Sequence, residues 1–214
     1  MFKDLNQVVF GCVNLNEEAK KYVENIETGD LLDSDFCQKV VHSIANRYGV
    51  DFTYGGWMED RSYLWSGSYL ENSGNFIHLG IDFNVPAGTN VFANHDMVVV
   101  HTENDYPLKH GWGTMVIGYI EKFDVCILYG HISKNNIWKV GQKIKSGEIV
   151  GMVGDKNDNG FWFPHLHVQT ISKDYFDEVN LKNAWKEFDG YGHKDDLDKL
   201  AKNYRDPMNY LTLM

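Results

Sequence analysis

Between residues 76 and 171 the chain is cut into short extended runs by turn-forming stretches, and this punctuation limits the possible fold more than any other feature. The breaks are VPAG, HGWG, KSGE and KNDNG, each carrying a glycine that can supply turn conformations other residues resist. The runs between them, at 77–83, 91–101, 113–121, 123–130, 149–153 and 165–171, are rich in β-branched and aromatic residues. Short strands joined by short turns pair as hairpins, so the expectation is a mainly β, antiparallel-sheet core.

The flanks have a different texture. Residues 16–28 and 34–48 read as helices. In DSDFCQKVVHSIANRYG, Phe36, Val40, Val41, Ile44 and Ala45 recur at helical spacing, with Asp or Ser as cap and Gly49 as stop. Residues 52–75 are aromatic and Gly/Ser-rich and read as loops and short strands leading inward. After residue 174, DEVNLKNAWKEF and DDLDKLAKNYRDPMNYL read as helical. The expected organisation is a helical and loop N-terminal extension (1–75) packed on a core (76–173), followed by a helical C-terminal extension (174–214).

Composition narrows the function classes. Of the 214 residues 43% are hydrophobic and 14% aromatic, enough for a substantial core. The formal net charge of −10 argues against nucleic acid and against anionic lipid, both of which need a basic stripe. Cys12, Cys37 and Cys126 are scattered and form neither a disulfide framework nor a C-x-x-C metal site. No run is long and apolar enough to span a membrane, and VVFGCV is too short for a secretory signal. The expected location is the cytoplasm, or outside the cell by a signal-independent route or after loss of a leader.

The chemistry gathers around FWFPHLHVQT, residues 161–170. In a strand, residues i and i+2 share a face, so His165 and His167 project together while Leu166 and Val168 fill the opposite side. Such a pair can be structural; it becomes a metal or acid–base site only with partners from elsewhere. Upstream, FIHLGID places His78 and Asp82 four residues apart, again on one face of an extended segment, with Gly80 between them. If the two segments are neighbours, two imidazoles and a carboxylate can close around a cation and leave a further group free for chemistry. Nitrogen and oxygen donors of this kind suit zinc. A fifth group, His131 in LYGHIS, stands at the end of an apolar strand.

HLGID, YGHIS, VGQKIKSGEIVGMVG and PHLH, in that order, resemble the signature of the LytM/lysostaphin-type zinc metallopeptidases, which cleave peptide cross-links in bacterial peptidoglycan. The resemblance covers roughly residues 76–171. It implies a lysostaphin-like core built as a duplicated hybrid motif, with Zn2+ held by His78, Asp82 and His167. It also implies His131 and His165 as the catalytic histidines and peptide or peptidoglycan as substrate. The chain departs from the family pattern in DKNDNGFWFP before the H-x-H, where small residues are usual, and in TENDYPLKHGW at 102–112. These loops are expected to wall the groove, with Trp112 and Trp162 either stacking on substrate or packing. His110 is the one other histidine placed beside the groove; His95, His101 and His193 read as ordinary. Tyr129 and Arg61 are within the chemistry of peptide contacts but are not assigned that role. Other readings are the same zinc chemistry on a non-wall peptide and a non-catalytic regulator of wall hydrolases. A third is a biotinyl or lipoyl carrier, which VGQKIKSGEIVG also resembles but which lacks the lysine at a hairpin tip.

Overall fold

In the computed structural model, which describes residues 1–5, 7–22, 29–104, 111–135, 138–182 and 189–213, the punctuated segment becomes a broad antiparallel sheet. In chain order the strands are β1 (Phe10–Cys12), β2 (Phe52–Gly55), β3 (Ile77–His78), β4 (Ile81–Phe83), β5 (Asn90–Phe92), β6 (Met97–Asn104) and β7 (Thr114–Ile120). They continue with β8 (Val125–Ile132), β9 (Lys143–Ile144), β10 (Ile149–Met152), β11 (Leu166–Ser172), β12 (Tyr191–Gly192) and β13 (Tyr204–Arg205). The main sheet runs β1-β2-β4-β11-β8-β7-β6-β9, with β13 also paired to β11. Its pairings are antiparallel except β1 with β2. Two small ribbons, β10-β5 and β12-β3, complete the β structure among the described residues.

Strand β11 lies near the middle of the sheet with partners on both sides. Leu166 and Val168 point into one core, with Ile81, Phe83, Ile127 and Tyr129 from the neighbouring strands. A second core on the other side holds Leu79, Met115, Ile117, Leu128 and Ile171 beneath helix α3 (Lys173–Leu181). A third forms where α1 (Leu15–Tyr22) and α2 (Ser34–Tyr48) pack on Leu64, Trp162 and Phe163. Helix α2 starts at Asp33, whose carboxylate accepts from Phe36 N at 2.8 Å, and ends at Gly49 with φ of 65°.

The structure differs from the sequence reading in four places, the first being the run 91–101, which is two strands, β5 and β6, in different sheets. The run 77–83 is two strands rather than one: Leu79 N is donated to Gly190 O at 2.8 Å, so β3 pairs with β12 while β4 pairs with β11. The flanks also contribute strands as well as helices, β1 and β2 from one side and β12 and β13 from the other. The last helical stretch is therefore shorter than expected. Helix α4 covers Leu197–Asn203, and the chain then extends through Tyr204–Arg205 ahead of Pro207, which disfavours helix in the residue before it. Residues 23–28 and 183–188, where helix was also expected, lie outside the described residues.

Leu166 is fully buried on the face of β11 opposite the histidines. Leu166→Ala is expected to cost about 2–5 kcal/mol by loss of transfer energy and creation of a cavity, measured by urea unfolding. A cost of about 0.5 kcal/mol or less would show that this face is not a packed core.

Candidate metal centre

Strand pairing sets the centre. Asp82 on β4 is in register with His167 on β11, which is in register with Gly130 on β8, while Gly55 on β2 stands opposite Asp82. The row Gly55–Asp82–His167–Gly130 thus crosses four strands, with side chains only at its middle two positions. Gly80 permits the approach of the β3–β4 bend. A Cβ there would lie 2.6 Å from both His167 Nε2 and Val168 O.

Three donor atoms converge on the polar face. His167 Nδ1 lies 2.9 Å from Asp82 Oδ1 and 3.1 Å from His78 Nε2, and His78 Nε2 lies 3.4 Å from Asp82 Oδ1. The outer nitrogen of each imidazole faces a carbonyl oxygen, which can only accept. His78 Nδ1 is 3.3 Å from Gly56 O, and His167 Nε2 is 3.0 Å from Gln169 Oε1. The ring protons therefore sit on the outer nitrogens, and both inner nitrogens present lone pairs to the carboxylate. Three converging acceptors with no donor among them form a ligand set able to hold a metal ion. His78 and Asp82 are expected partners that meet although they do not share one continuous strand.

Electrostatics fits this set. Burial, reinforced by the Arg61 charge, pushes His78 down to about 3, so it is a neutral ligand. Burial pushes the Asp82 carboxyl up, but the surrounding imidazoles of His78, His165 and His167 and the permanent charge of Arg61 outweigh it and hold it well below the usual range. His78, Asp82, His165 and His167 are each at most 4% exposed.

The other two histidines stand beside this set. His165 Nδ1 donates to Phe163 O at 2.7 Å, leaving Nε2 as an acceptor 4.0 Å from Asp82 Oδ1. His131 lies near the end of β8 with φ of 58°, a left-handed conformation unusual for a non-glycine residue. Its ring is 4.5 Å from that of His165 and stacks on Trp112 at 6.0 Å. Its Nδ1 is buried with no hydrogen-bond partner among the described residues. Burial lowers both His131 and His165 from the ordinary histidine value.

Among the aromatic residues, Trp112 closes over the centre, edge-on to His167 at 5.4 Å. Trp162 and Phe163 turn inward instead of walling a groove. The Trp162 indole donates to Leu31 O at 3.0 Å and packs 4.7 Å from Trp65, whereas Phe161 is exposed. Tyr129 belongs to the core on the opposite side of the sheet. His95, His101 and His193 have partners away from the centre, in Tyr210, Glu103 and Asp195. His110 lies outside the described residues. The residues that sequence reasoning missed are Gln169, the Gly55–Gly56 pair, Tyr191 and Arg61, which it considers only as a peptide contact yet which is buried against Asp82. Gln169 was legible in principle, being i+2 from His167 on one strand; Arg61 carries no spacing signal.

Residues 76–180 match the family model described as Peptidase family M23. Glycyl-glycine endopeptidase ALE-1 of Staphylococcus capitis is 35% identical over 109 residues, 49% of this chain and 26% of that protein. Peptidoglycan DD-endopeptidase ShyA of Vibrio cholerae is 35% identical over 96 residues, 44% of this chain and 20% of that protein. The match thus spans about a quarter or less of these relatives' lengths. The solved catalytic domain of lysostaphin from Staphylococcus simulans aligns at 26% identity over 63% of this chain and 79% of its own, with a TM-score of 0.43. No helix among the described residues is long and apolar enough to cross a membrane. The ordered motifs and the convergent donor set both lie within residues 76–180, the segment that matches peptidase family M23.

Proposed function

We propose that this protein is a zinc-dependent metalloendopeptidase acting on the stem or cross-bridge peptides of peptidoglycan. The observation that carries this reading is the convergence of His78 Nε2, Asp82 Oδ1 and His167 Nδ1 with both outer ring nitrogens pinned to carbonyls. Two neutral imidazoles and a carboxylate match the borderline character of zinc and leave the bound ion with net positive charge. Zinc held there would supply Lewis acidity toward water and toward a peptide carbonyl.

The protein's own groups do the rest. His165 keeps its Nδ1 proton on Phe163 O, so Nε2 is the atom that can accept a proton beside the ligand set. His131, whose buried Nδ1 has no hydrogen-bond partner among the described residues, can hold a proton against charge developing on the substrate or pass one to the leaving amine. Burial lowers both imidazoles, which keeps them neutral near pH 7. The named activities of ALE-1 and ShyA support peptidoglycan as the substrate class.

Purified peptidoglycan and defined cross-linked muropeptides, digested by chelated and by zinc-restored protein and analysed by mass spectrometry, test this. Cross-linked species should disappear only with zinc, and the products name the bond. Survival of every wall peptide in the presence of bound zinc would remove the substrate assignment. His78→Ala should lose both zinc and turnover. His131→Ala and His165→Ala should keep zinc and lose roughly 10²–10⁴-fold in rate, the range of general acid–base catalysis; a His165→Ala variant at full rate would refute its role.

The pH dependence of the metal-free protein has a definite sign. His78, His131 and His165 are held neutral when folded, whereas in the unfolded chain each titrates near about 6.5. Below that value the unfolded chain binds more protons, so stability is lost as pH falls from about 7 toward 4. Asp82 acts in the same direction below its ordinary value, while burial of Glu59 raises that carboxyl and opposes the trend. Melting temperatures of chelated protein should therefore drop steadily across this window, and zinc should raise them by an increment that shrinks with acidity. A melting temperature independent of pH would contradict the neutral assignment of the three rings.

A further inference from the structure

Arg61 precedes the family-matched segment, yet it is enclosed at the centre with 1% exposure. Its Nη1 donates to Asp82 Oδ2, its Nη2 donates to Gly55 O at 3.2 Å, and its Nε is ion-paired with Glu59 Oε1 at 3.4 Å. Nη1 also reaches the Tyr191 hydroxyl at 3.4 Å, and that hydroxyl accepts from the Trp65 indole at 2.6 Å. Glu59 in turn accepts from Asn16 N at 3.2 Å. A planar, permanently charged guanidinium held at this many points fixes the plane of the carboxylate it grips. With Oδ2 on Arg61, Asp82 has Oδ1 to offer, the oxygen that already faces His167 Nδ1.

The backbone around Arg61 is equally committed. His78 N is donated to Glu59 O at 2.9 Å, Met58 N to His78 O at 2.8 Å and Arg61 N to Phe76 O at 2.9 Å. Gly56 O takes the His78 ring proton, and a Cβ on Gly56 would come within 2.2 Å of Glu59 Oε2. The stretch GGWMEDR, residues 55–61, therefore touches two of the three ligands, one through a side chain and one through a carbonyl. Charge completes the case. A divalent ion with a single carboxylate is already cationic, and Arg61 adds another positive charge in the same enclosed space. Glu59 offsets it, which a buried guanidinium requires.

On the zinc reading above, we propose that Arg61 is a positioning residue that aims one oxygen of Asp82 at the metal, with Glu59 as its counter-charge. The segment Gly55–Arg61 thereby completes a centre whose ligands lie in 76–180.

The test is zinc affinity of the full chain, measured by competition with a chromophoric chelator, with circular dichroism establishing that each variant is folded. Arg61→Met should weaken zinc about 10–100-fold, the usual effect of removing a group that orients a ligand. Arg61→Lys, which keeps the charge and loses the fork, should lose less, and Glu59→Gln should also weaken zinc. In an Asp82→Asn background, Arg61→Met should add no further loss. Equal losses with and without the Asp82 carboxylate would mean that Arg61 supports the fold generally, and would overturn the proposal. So would a folded Arg61→Met variant with wild-type affinity. If Arg61→Met does not fold, Arg61→Lys decides, and unchanged affinity there overturns the proposal. Failure of the wild-type chain to bind zinc would instead bring down the metal reading itself.

Discussion

A strand paired on both sides can place its side chains only above and below the sheet, and the centre of this protein is built on that constraint. Strand β11 is hydrogen-bonded to β4 and β8, so its alternation leaves no freedom in where His167 and Gln169 go once Leu166 and Val168 are in the core. A register slip of one residue would bury the imidazole among Ile81, Phe83 and Ile127 and turn a leucine or valine toward Asp82. The apolar face thus specifies the polar one. The energy that holds the site in place is largely that of the core behind it.

The polar face is costly by comparison. It encloses two carboxylates, Asp82 and Glu59, one guanidinium and three imidazoles, His78, His165 and His167, with the half-buried His131 beside them. Buried ion pairs of this kind contribute little net stability, because desolvation offsets much of their attraction. Their value is geometric. Each imidazole with a pinned outer nitrogen has one tautomer, and a carboxylate gripped through one oxygen has one orientation. His131 departs from this economy in its left-handed backbone, a conformation a non-glycine residue adopts at a cost.

Much of this was legible in the residues. Turn glycines and β-branched runs marked the strands, and the period-two reading of PHLHVQT placed His165 and His167 on one face because strand geometry is local. What was not legible depended on contacts between distant segments. Nothing in FIHLGID announces that the chain bends at Leu79–Gly80, since the bend follows from Leu79 N reaching Gly190 O. Tyr204–Arg205 sat inside a helical pattern, but pairing with Thr170 and Ile171 prevailed over propensity. The loop carrying Trp162 and Phe163 is expected to wall the groove, with packing of Trp162 left open; the pocket between α1, α2 and Leu64 that receives both rings exists only in the folded chain. Arg61 was missed for the same reason, because the sequence does not say which arginine is buried.

The row Gly55–Asp82–His167–Gly130 also bears on how the protein comes into being. Its members are brought together by pairing of strands that are remote along the chain, unlike a metal-binding loop whose ligands are neighbours in sequence. Contacts of such separation carry the full entropy of loop closure before they return any energy, and they form late and slowly. The nascent chain thus has only the His78–Asp82 pair to offer a metal until His167, 85 residues beyond Asp82, is paired into the sheet. The ion would enter a finished sheet as a consequence of folding, not as its nucleus.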